Sequence, residues 1–524
     1  MPDSLRCVPP DAIIVGWDFS TSAVKALAFD LNGRVVARSW FKNDVWTDFV
    51  PDPELKERYR DTGNREINLM QLEGQARASA RDIASCLEGE GWLAAGISAT
   101  HHTAGWIDEN HNPVRRMFCW DDQTLGEFHA TGQERLGGAA AVRELIGGPW
   151  AVRYSLSHLV KDAATFKPEQ WARARWMMGH GPLAAGYLTG RFGVTSISSA
   201  ASTGIMNLRT DRWQPRMLAA LGDSSPVAIG NLASKLPRIV PTFRPLGPVA
   251  GHVLNRPGGP LVFPTLDDQA AGLVGGGATQ PGELAIILGT SAVVNSSSDK
   301  APATDALDAM KLGWNGAYLW MRCYSNGAAF AESVEKLPVR IQVEAEARDL
   351  KPGCGGVRVL PFLNSEPSLG VKTSRVEWRG QASGAAVRVR AAYEAIAYLI
   401  ALGVRAHRDA GQDIRRITVS GGLARSPLMC EILASVVAGV LQQPLPLIRL
   451  ESDEGSALGA AVLALAGLES TLRAERGIEA PFTIADAVVR LVHEDGSVHA
   501  NPDWVPAYRE GLAAFEQWLQ TPAS

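Results

Sequence analysis

The chain has 524 residues, 46% of them hydrophobic, with a formal net charge of −4 and no long basic run. That is enough apolar material for two or more domain cores, and the charge balance speaks against a nucleic-acid partner. The six cysteines (Cys7, Cys86, Cys119, Cys323, Cys354 and Cys430) are scattered without a C-x-x-C pair, which favours reduced thiols over a disulfide framework.

Residues 1–11 read as a loose leader. No apolar run follows Arg6, so no signal peptide is expected. No uninterrupted apolar segment looks long enough for a bilayer, and the expectation is a soluble cytoplasmic protein without membrane contact. Residues 12–18 (AIIVGWD) form a predicted strand, 23–30 a second and 34–40 a third, with Leu31-Asn32-Gly33 as a hairpin turn. Between the first two, the tip Asp18-Phe19-Ser20-Thr21-Ser22, followed by Lys25, joins a carboxylate to three hydroxyls and a cation. It is a second candidate phosphate site, although taken alone it reads better as an ordinary polar hairpin.

Residues 73–88 read as an amphipathic helix and 93–98 as a strand ending in Thr100-His101-His102-Thr103. Trp120-Asp121-Asp122 follows a turn at 109–113. Polar residues at strand ends are where open α/β sheets bind ligands. A zinc site from His101, His102, His111 and Cys119 fits no structural spacing. Residues 168–218 suggest helices without obvious chemistry, and the Pro- and Gly-rich segment 241–260 suggests a domain junction.

The stretch LDDQAAGLVGGGATQPGELAIILGTSAVVNSSS (266–298) is the most informative in the chain. Asp267 and Asp268 open a small-residue helix, a turn follows at Pro281-Gly282, and a buried strand 283–288 breaks into Gly289-Thr290-Ser291. Backbone N–H groups and hydroxyls at such a break suit phosphate. Further on, 391–410 is a strong helix. Strand 416–420 ends in Gly421-Gly422-Leu423-Ala424-Arg425-Ser426, and Pro427 then opens a helix. Gly455 to Ala461 begins a helix of small residues. Residues 470–524 read as an appended strand and a last helix over 503–519. No Gly-Lys pair occurs, so a P-loop is excluded.

In this order the motifs resemble those of the FGGY carbohydrate kinases. Gly16-Trp17-Asp18-Phe19-Ser20-Thr21, with Lys25 and Asp30, is similar to the family's first phosphate hairpin, in a form close to the xylulokinases. Gly96 to Thr103 aligns with G-I-S-G-Q-M-H-G, Trp120-Asp121-Asp122 with W-N-D, and Asp268 to Gly272 with D-N-A-A-G. Leu288 to Ser291 is similar to the second phosphate motif, and Gly421-Gly422 and Gly459-Ala460-Ala461 to the adenosine segments. The chain departs from the family pattern at Thr100, Thr103, Gln123-Thr124, Leu423, Ser365 and Pro367.

The resemblance implies an α/β fold of two actin/hexokinase-like (ribonuclease H-like) ATPase domains around a central cleft. The expected domains are 12–248 and 255–470, with an extension over 471–524. It implies ATP and Mg²⁺ as cofactors and a small-molecule sugar as partner; a homodimer is left open. Asp268 is the implied base, with Asp267 as runner-up. Asp18 and Asp268 are the implied metal ligands, and His102, Trp120, Asp122 and Asp268 the sugar contacts. Ser20, Thr21, Ser22, Lys25, Gly289, Thr290, Gly421, Gly422 and Ser426 are the implied nucleotide contacts. The expected acceptor is a ketopentose, D-xylulose first, with ribulose, a polyol or gluconate as alternatives. A non-catalytic sugar sensor and an Hsp70-like ATPase are the rivals from other classes.

Overall fold

A computed structural model describes residues 5–43, 65–88 and 91–521. The start of the leader (1–4) and the end of the extension (522–524) lie outside the described residues.

Two seven-stranded sheets carry the fold, and they share one plan. In the first, the strand Ile13–Phe19 lies between an antiparallel neighbour, Ala23–Phe29, and a parallel one, Trp92–Ala99; Val35–Lys42 extends the antiparallel side. In the second, Glu283–Leu288 lies between antiparallel Ala292–Ser298 and parallel Arg416–Ser420; Tyr318–Tyr324 extends the antiparallel side and Leu447–Leu450 the parallel side. The two predicted phosphate tips, 20–22 and 289–291, are thus the same hairpin in two copies. Each central strand reads as an apolar run because helices cover both faces.

The segment 241–260 does not leave the first sheet. Gly247–Pro248 pairs with Leu261–Val262, which pairs with Trp92–Ala99, and Leu266–Asp267 joins that same strand. The chain crosses to the second sheet only after the helix Asp268–Gly275. We therefore place the change of domain between Gly275 and Glu283, not at 248–255.

The helix Gly455–Glu475 joins the two halves. A Cβ on Gly16 would lie 1.8 Å from the Ala457 carbonyl oxygen, and one on Gly96 would lie 1.9 Å from that of Ala460. One on Gly459 would lie 1.9 Å from the Ala271 oxygen, and one on Gly275 the same distance from that of Gly455. Strands of the first sheet and the helix Asp268–Gly275 therefore approach this helix backbone to backbone, which only glycine permits. The segment Gly459-Ala460-Ala461, which resembles an adenosine motif, is packing surface here. By length and composition the helix could cross a membrane, but it is mostly buried inside the protein.

The leader is not loose from residue 6 on. The N–H groups of Arg6, Cys7 and Val8 donate to the Glu469 carboxylate, which also pairs with Arg473. Cys7 and Val8 are buried as a result. The predicted helix over 391–410 begins earlier, at Ala385, and ends at Asp409.

Candidate active site

Asp267 and Asp268 begin the same helix and do different work. Asp267 is the N-cap. Its Oδ1 accepts the N–H groups of Gln269 (3.0 Å) and Ala270 (2.9 Å), and its Oδ2 accepts the Ser198 hydroxyl at 2.9 Å. This satisfies the orphan donors of the first turn, and burial pushes the carboxyl up to about 6. Asp268 is one residue further on, with its side chain 25% exposed. Its Oδ1 accepts from the ring Nδ1 of His101 and from the His101 backbone N–H at 3.3 Å.

Among the described residues, His101, Asp267 and Asp268 are the group with metal-ligand spacing. We do not read these three as a metal site, because the cap bonds and Ser198 already occupy both oxygens of Asp267. His111 is stacked against Phe192 and Trp176, and Cys119 is buried apart from it.

Sheet register brings Asp18 to the same place. It pairs with Ser98 on the parallel side and with Lys25 on the antiparallel side. Ser98 Oγ donates to Asp18 Oδ1 at 3.2 Å. Burial, and then the negative charge of Asp268, push the Asp18 carboxyl up to about 7, against the pull of Lys25. Two carboxylates sharing one pocket disfavour a second ionisation. A hard cation with oxygen ligands would relieve that repulsion, so the donor set fits Mg²⁺. Lys25 Nζ meets Glu454 Oε2 at 2.6 Å across the cleft.

A cavity of about 600 Å³ opens beside these groups. Lys25 lines it from the first domain; Gly289, Thr290, Gly421, Gly422 and Ser426 line it from the second. Gly421 has φ +96°, and a Cβ there would lie 2.6 Å from the Leu288 carbonyl oxygen, so the turn requires glycine. Ser426 caps the helix Pro427–Leu441 and donates to Glu344 at 2.6 Å. Ser20 clamps its own hairpin, its hydroxyl donating to the Ala23 carbonyl and accepting the Ala23 N–H. Thr21, half-buried, and Ser22, exposed, complete that tip. Glu344, Tyr393 and Glu454 also line the cavity, and sequence reasoning missed them because no motif marks their segments.

His102 and Asp122, two of the expected sugar contacts, are both buried. His102 has φ +59° and faces inward. Its Nδ1 donates to the Ser202 carbonyl at 2.6 Å, its ring stacks on Tyr154, and burial holds it well below the ordinary histidine range, hence neutral. Asp122 is buried in a turn, where it accepts the Arg65 N–H at 2.7 Å, the Thr124 N–H at 2.9 Å and the Thr124 hydroxyl. Asp122 thus has both oxygens engaged by its own turn and by Arg65, whereas His102 keeps a buried Nε2 with no partner among the described residues. His101 stands at Asp268 instead, with Trp120 near it at a ring separation of 6.4 Å. Adjacent histidines share every sequence signal, and only the backbone turn at His102 decides which one faces the cleft. The departures from the family pattern meet across the cleft: Ser365 Oγ donates to Gln123 Oε1 at 2.8 Å.

The profile of the FGGY family of carbohydrate kinases, N-terminal domain, matches residues 13–275, and that of its C-terminal domain matches residues 284–468. The chain belongs to the FGGY family of carbohydrate kinases. It is therefore an ATP-using sugar kinase, and its α/β fold is that of the family. The xylulose kinase of Haemophilus influenzae is 22% identical over 464 residues, covering 86% of this chain and 90% of that protein. The glycerol kinase of Myxococcus xanthus is 26% identical over 486 residues, covering 87% and 90%. A crystal structure titled as a xyloylose kinase from Brucella ovis superposes with a TM-score of 0.78 at 21% identity, over 97% of this chain and 98% of that one. Identity at this level supports the shared fold; the acceptor has to be argued from the site.

Proposed function

We propose that this FGGY kinase transfers the γ-phosphoryl group of ATP to a primary hydroxyl of a ketopentose, with D-xylulose as the first candidate. The observation that carries the reading is the placement of Asp268. It is the less buried of two adjacent aspartates, the other being consumed as a helix cap, and it shares a pocket with Asp18 beside the nucleotide-sized cavity. In this reading Asp268 takes the proton of the acceptor hydroxyl. The freed electron pair attacks the γ-phosphorus, the bond from that phosphorus to the β–γ bridging oxygen breaks, and its pair stays on ADP.

Thr21, Ser22, Lys25, Gly289 and Thr290 hold the phosphates in this scheme, and Gly421, Gly422 and Ser426 line the space for the nucleoside. Ser20 keeps the first hairpin in shape. Asp18 would hold Mg²⁺, with the Asp268 charge beside it as a further attraction and not as a ligand, and the ion when bound would neutralise charge on the phosphates. Xylulokinase-like motifs at residues 16–21 and 96–103 and the Haemophilus influenzae relative favour a pentulose; the glycerol kinase relative keeps a polyol in the test.

ADP release with ATP·Mg²⁺ across D-xylulose, D-ribulose, glycerol, erythritol and gluconate tests this. Strict dependence on an added sugar, highest kcat/KM with a ketopentose, is the expected result. Turnover without any acceptor, or none with any of them, would overturn it. Best turnover of glycerol or gluconate would retain the kinase and reject the pentulose.

A further inference from the structure

We infer that His101 is a positioning residue for Asp268: its ring holds one carboxylate oxygen so that the other is presented to the acceptor hydroxyl. The inference rests on the proposed role of Asp268 as base. The geometry is asymmetric. Two donors of one residue, the His101 ring Nδ1 and its backbone N–H, converge on Oδ1, and among the described residues no hydrogen bond reaches Oδ2.

The ring is itself fixed. Its side chain is 5% exposed. It packs edge-on against His102 with centroids 3.9 Å apart and planes at 84°, and His102 is pinned by Ser202 and Tyr154. The inward-turned His102 is thus the wall that stops His101 from rotating.

A carboxylate in the first turn of a helix has a competing use. Its terminal torsion is broad, and free N–H groups at the helix start attract its oxygens. Asp267 occupies two of those N–H groups, and His101 holds the Asp268 carboxylate from the opposite side. The donor on Oδ1 must be Nδ1–H, because a carboxylate oxygen only accepts. During transfer the acceptor proton goes to Oδ2. His101 neither gains nor loses a proton, and acts by orientation alone. The family pattern has methionine at this position, and a thioether has no such donor.

The test compares His101→Leu with His101→Asn, whose amide nitrogen hangs from the same branching atom as Nδ1. With D-xylulose and ATP, the leucine variant should lose kcat by about tenfold to a hundredfold, in line with misplaced catalytic groups. KM for ATP should not move, and the asparagine variant should recover most of the loss. In an Asp268→Asn background, His101→Leu should cost nothing further. Equal losses in the leucine and asparagine variants, or full additivity with Asp268→Asn, would sink the inference.

A readout without turnover guards against a leucine variant that folds poorly. Nitrogen-15 spectra of the histidine-labelled full chain should show a hydrogen-bonded Nδ1–H for His101, and Asp268→Ala should release it. An unchanged His101 signal in that variant also rejects the pairing. If Asp268→Asn keeps full turnover, the proposed base fails and the inference with it. If Asp268→Asn is inactive while His101→Leu is fully active, only the inference fails.

Discussion

At the end of the cleft proposed for the nucleotide, strand ends and turns shape the cavity, Gly289-Thr290 and Gly421-Gly422 with the capping Ser426, and Lys25, Glu344 and Glu454 stand around them. At the end proposed for the acceptor, side chains come from separate segments: His101 after the strand Trp92–Ala99, Trp120 from a loop, Asp268 from a helix start. The first end depends on where strands stop, which the sheet fixes. The second depends on which way each side chain turns, which neighbours such as Ser202, Tyr154 and Thr124 decide. The nucleotide end should therefore respond to substitution through binding and backbone geometry, and the acceptor end through chemistry or through folding, residue by residue.

The largest effect should separate the two aspartates. Asp268→Asn keeps the shape and removes the proton acceptor, so kcat should fall by about a hundredfold or more, with nucleotide affinity and melting temperature retained. Asp267→Ala removes the helix cap and the partner of Ser198. It should destabilise by about 1–2 kcal/mol in denaturant unfolding. Normal turnover of Asp268→Asn beside an inactive but folded Asp267→Asn would exchange their roles.

Next in size is Asp122→Ala. A sugar contact would give a raised KM in a stable protein. The buried turn seen here instead predicts lost stability of about 2–3 kcal/mol, because the Arg65 N–H, the Thr124 N–H and Lys161 lose a charged partner. A KM change with unaltered unfolding would return Asp122 to the acceptor site.

These two residues mark what a sequence reveals. The register of Asp18, the breaks at Gly289 and Gly421 and the order of the motifs follow from strand periodicity and turn chemistry, both local properties. The burial of Asp122 follows from a hydrogen bond to Arg65, 57 residues earlier, and no local pattern carries it. His101 and His102 differ only in the sign of a backbone torsion. The domain change misled for a related reason. Pro and Gly at 241–260 mark a break in regular structure, and that break lies at the edge of the first sheet, whereas the actual crossing uses a helix of small residues that looks continuous.

A third, pH-dependent effect tests the pocket that the two ends share. The Asp18 carboxyl is raised from the ordinary 3.8 to about 7, so the folded state holds this proton more tightly than the unfolded chain. Its cost to stability is absent below about pH 4, grows as pH rises through 4 to 7, and is constant above. The full cost is on the order of a few kcal/mol. Asp18→Asn removes it, so the variant should melt higher than the wild type at pH 8 and alike at pH 4. Asp267 has the same sign, with its carboxyl at about 6, but is present in both proteins and cancels. Mg²⁺·ATP should narrow the gap at pH 8 by stabilising the wild type more than the variant, with proton uptake by buffer detectable calorimetrically near pH 6.5. A variant that melts higher by the same margin at both pH values would mean that charge is not the cause.

The smallest effect concerns the one place where departures from the family pattern face each other. The Ser365 hydroxyl reaches Gln123 across the cleft in an exposed contact. Ser365 is anchored on its own side, since Asn364 donates its N–H to Asn326 at 3.0 Å and Glu366 accepts the Ser325 N–H at 2.8 Å. Gln123 follows directly on the buried Asp122 turn. Both partners thus move with their domains, and their hydrogen bond favours domain arrangements in which the cleft is as narrow as it is here. An exposed bond of this kind contributes at most about 1 kcal/mol, and a contact made in only one arrangement shifts the population by no more than its own energy. Ser365→Ala should therefore raise the acceptor KM by no more than about fivefold, leaving kcat and ATP affinity unchanged. Gln123→Ala should do the same, and the double variant should be no worse than either single one, because both remove one bond. Additive losses would mean that each side chain touches the acceptor independently. In that case the departures from the family pattern would govern which sugar is accepted, and not how far the cleft closes.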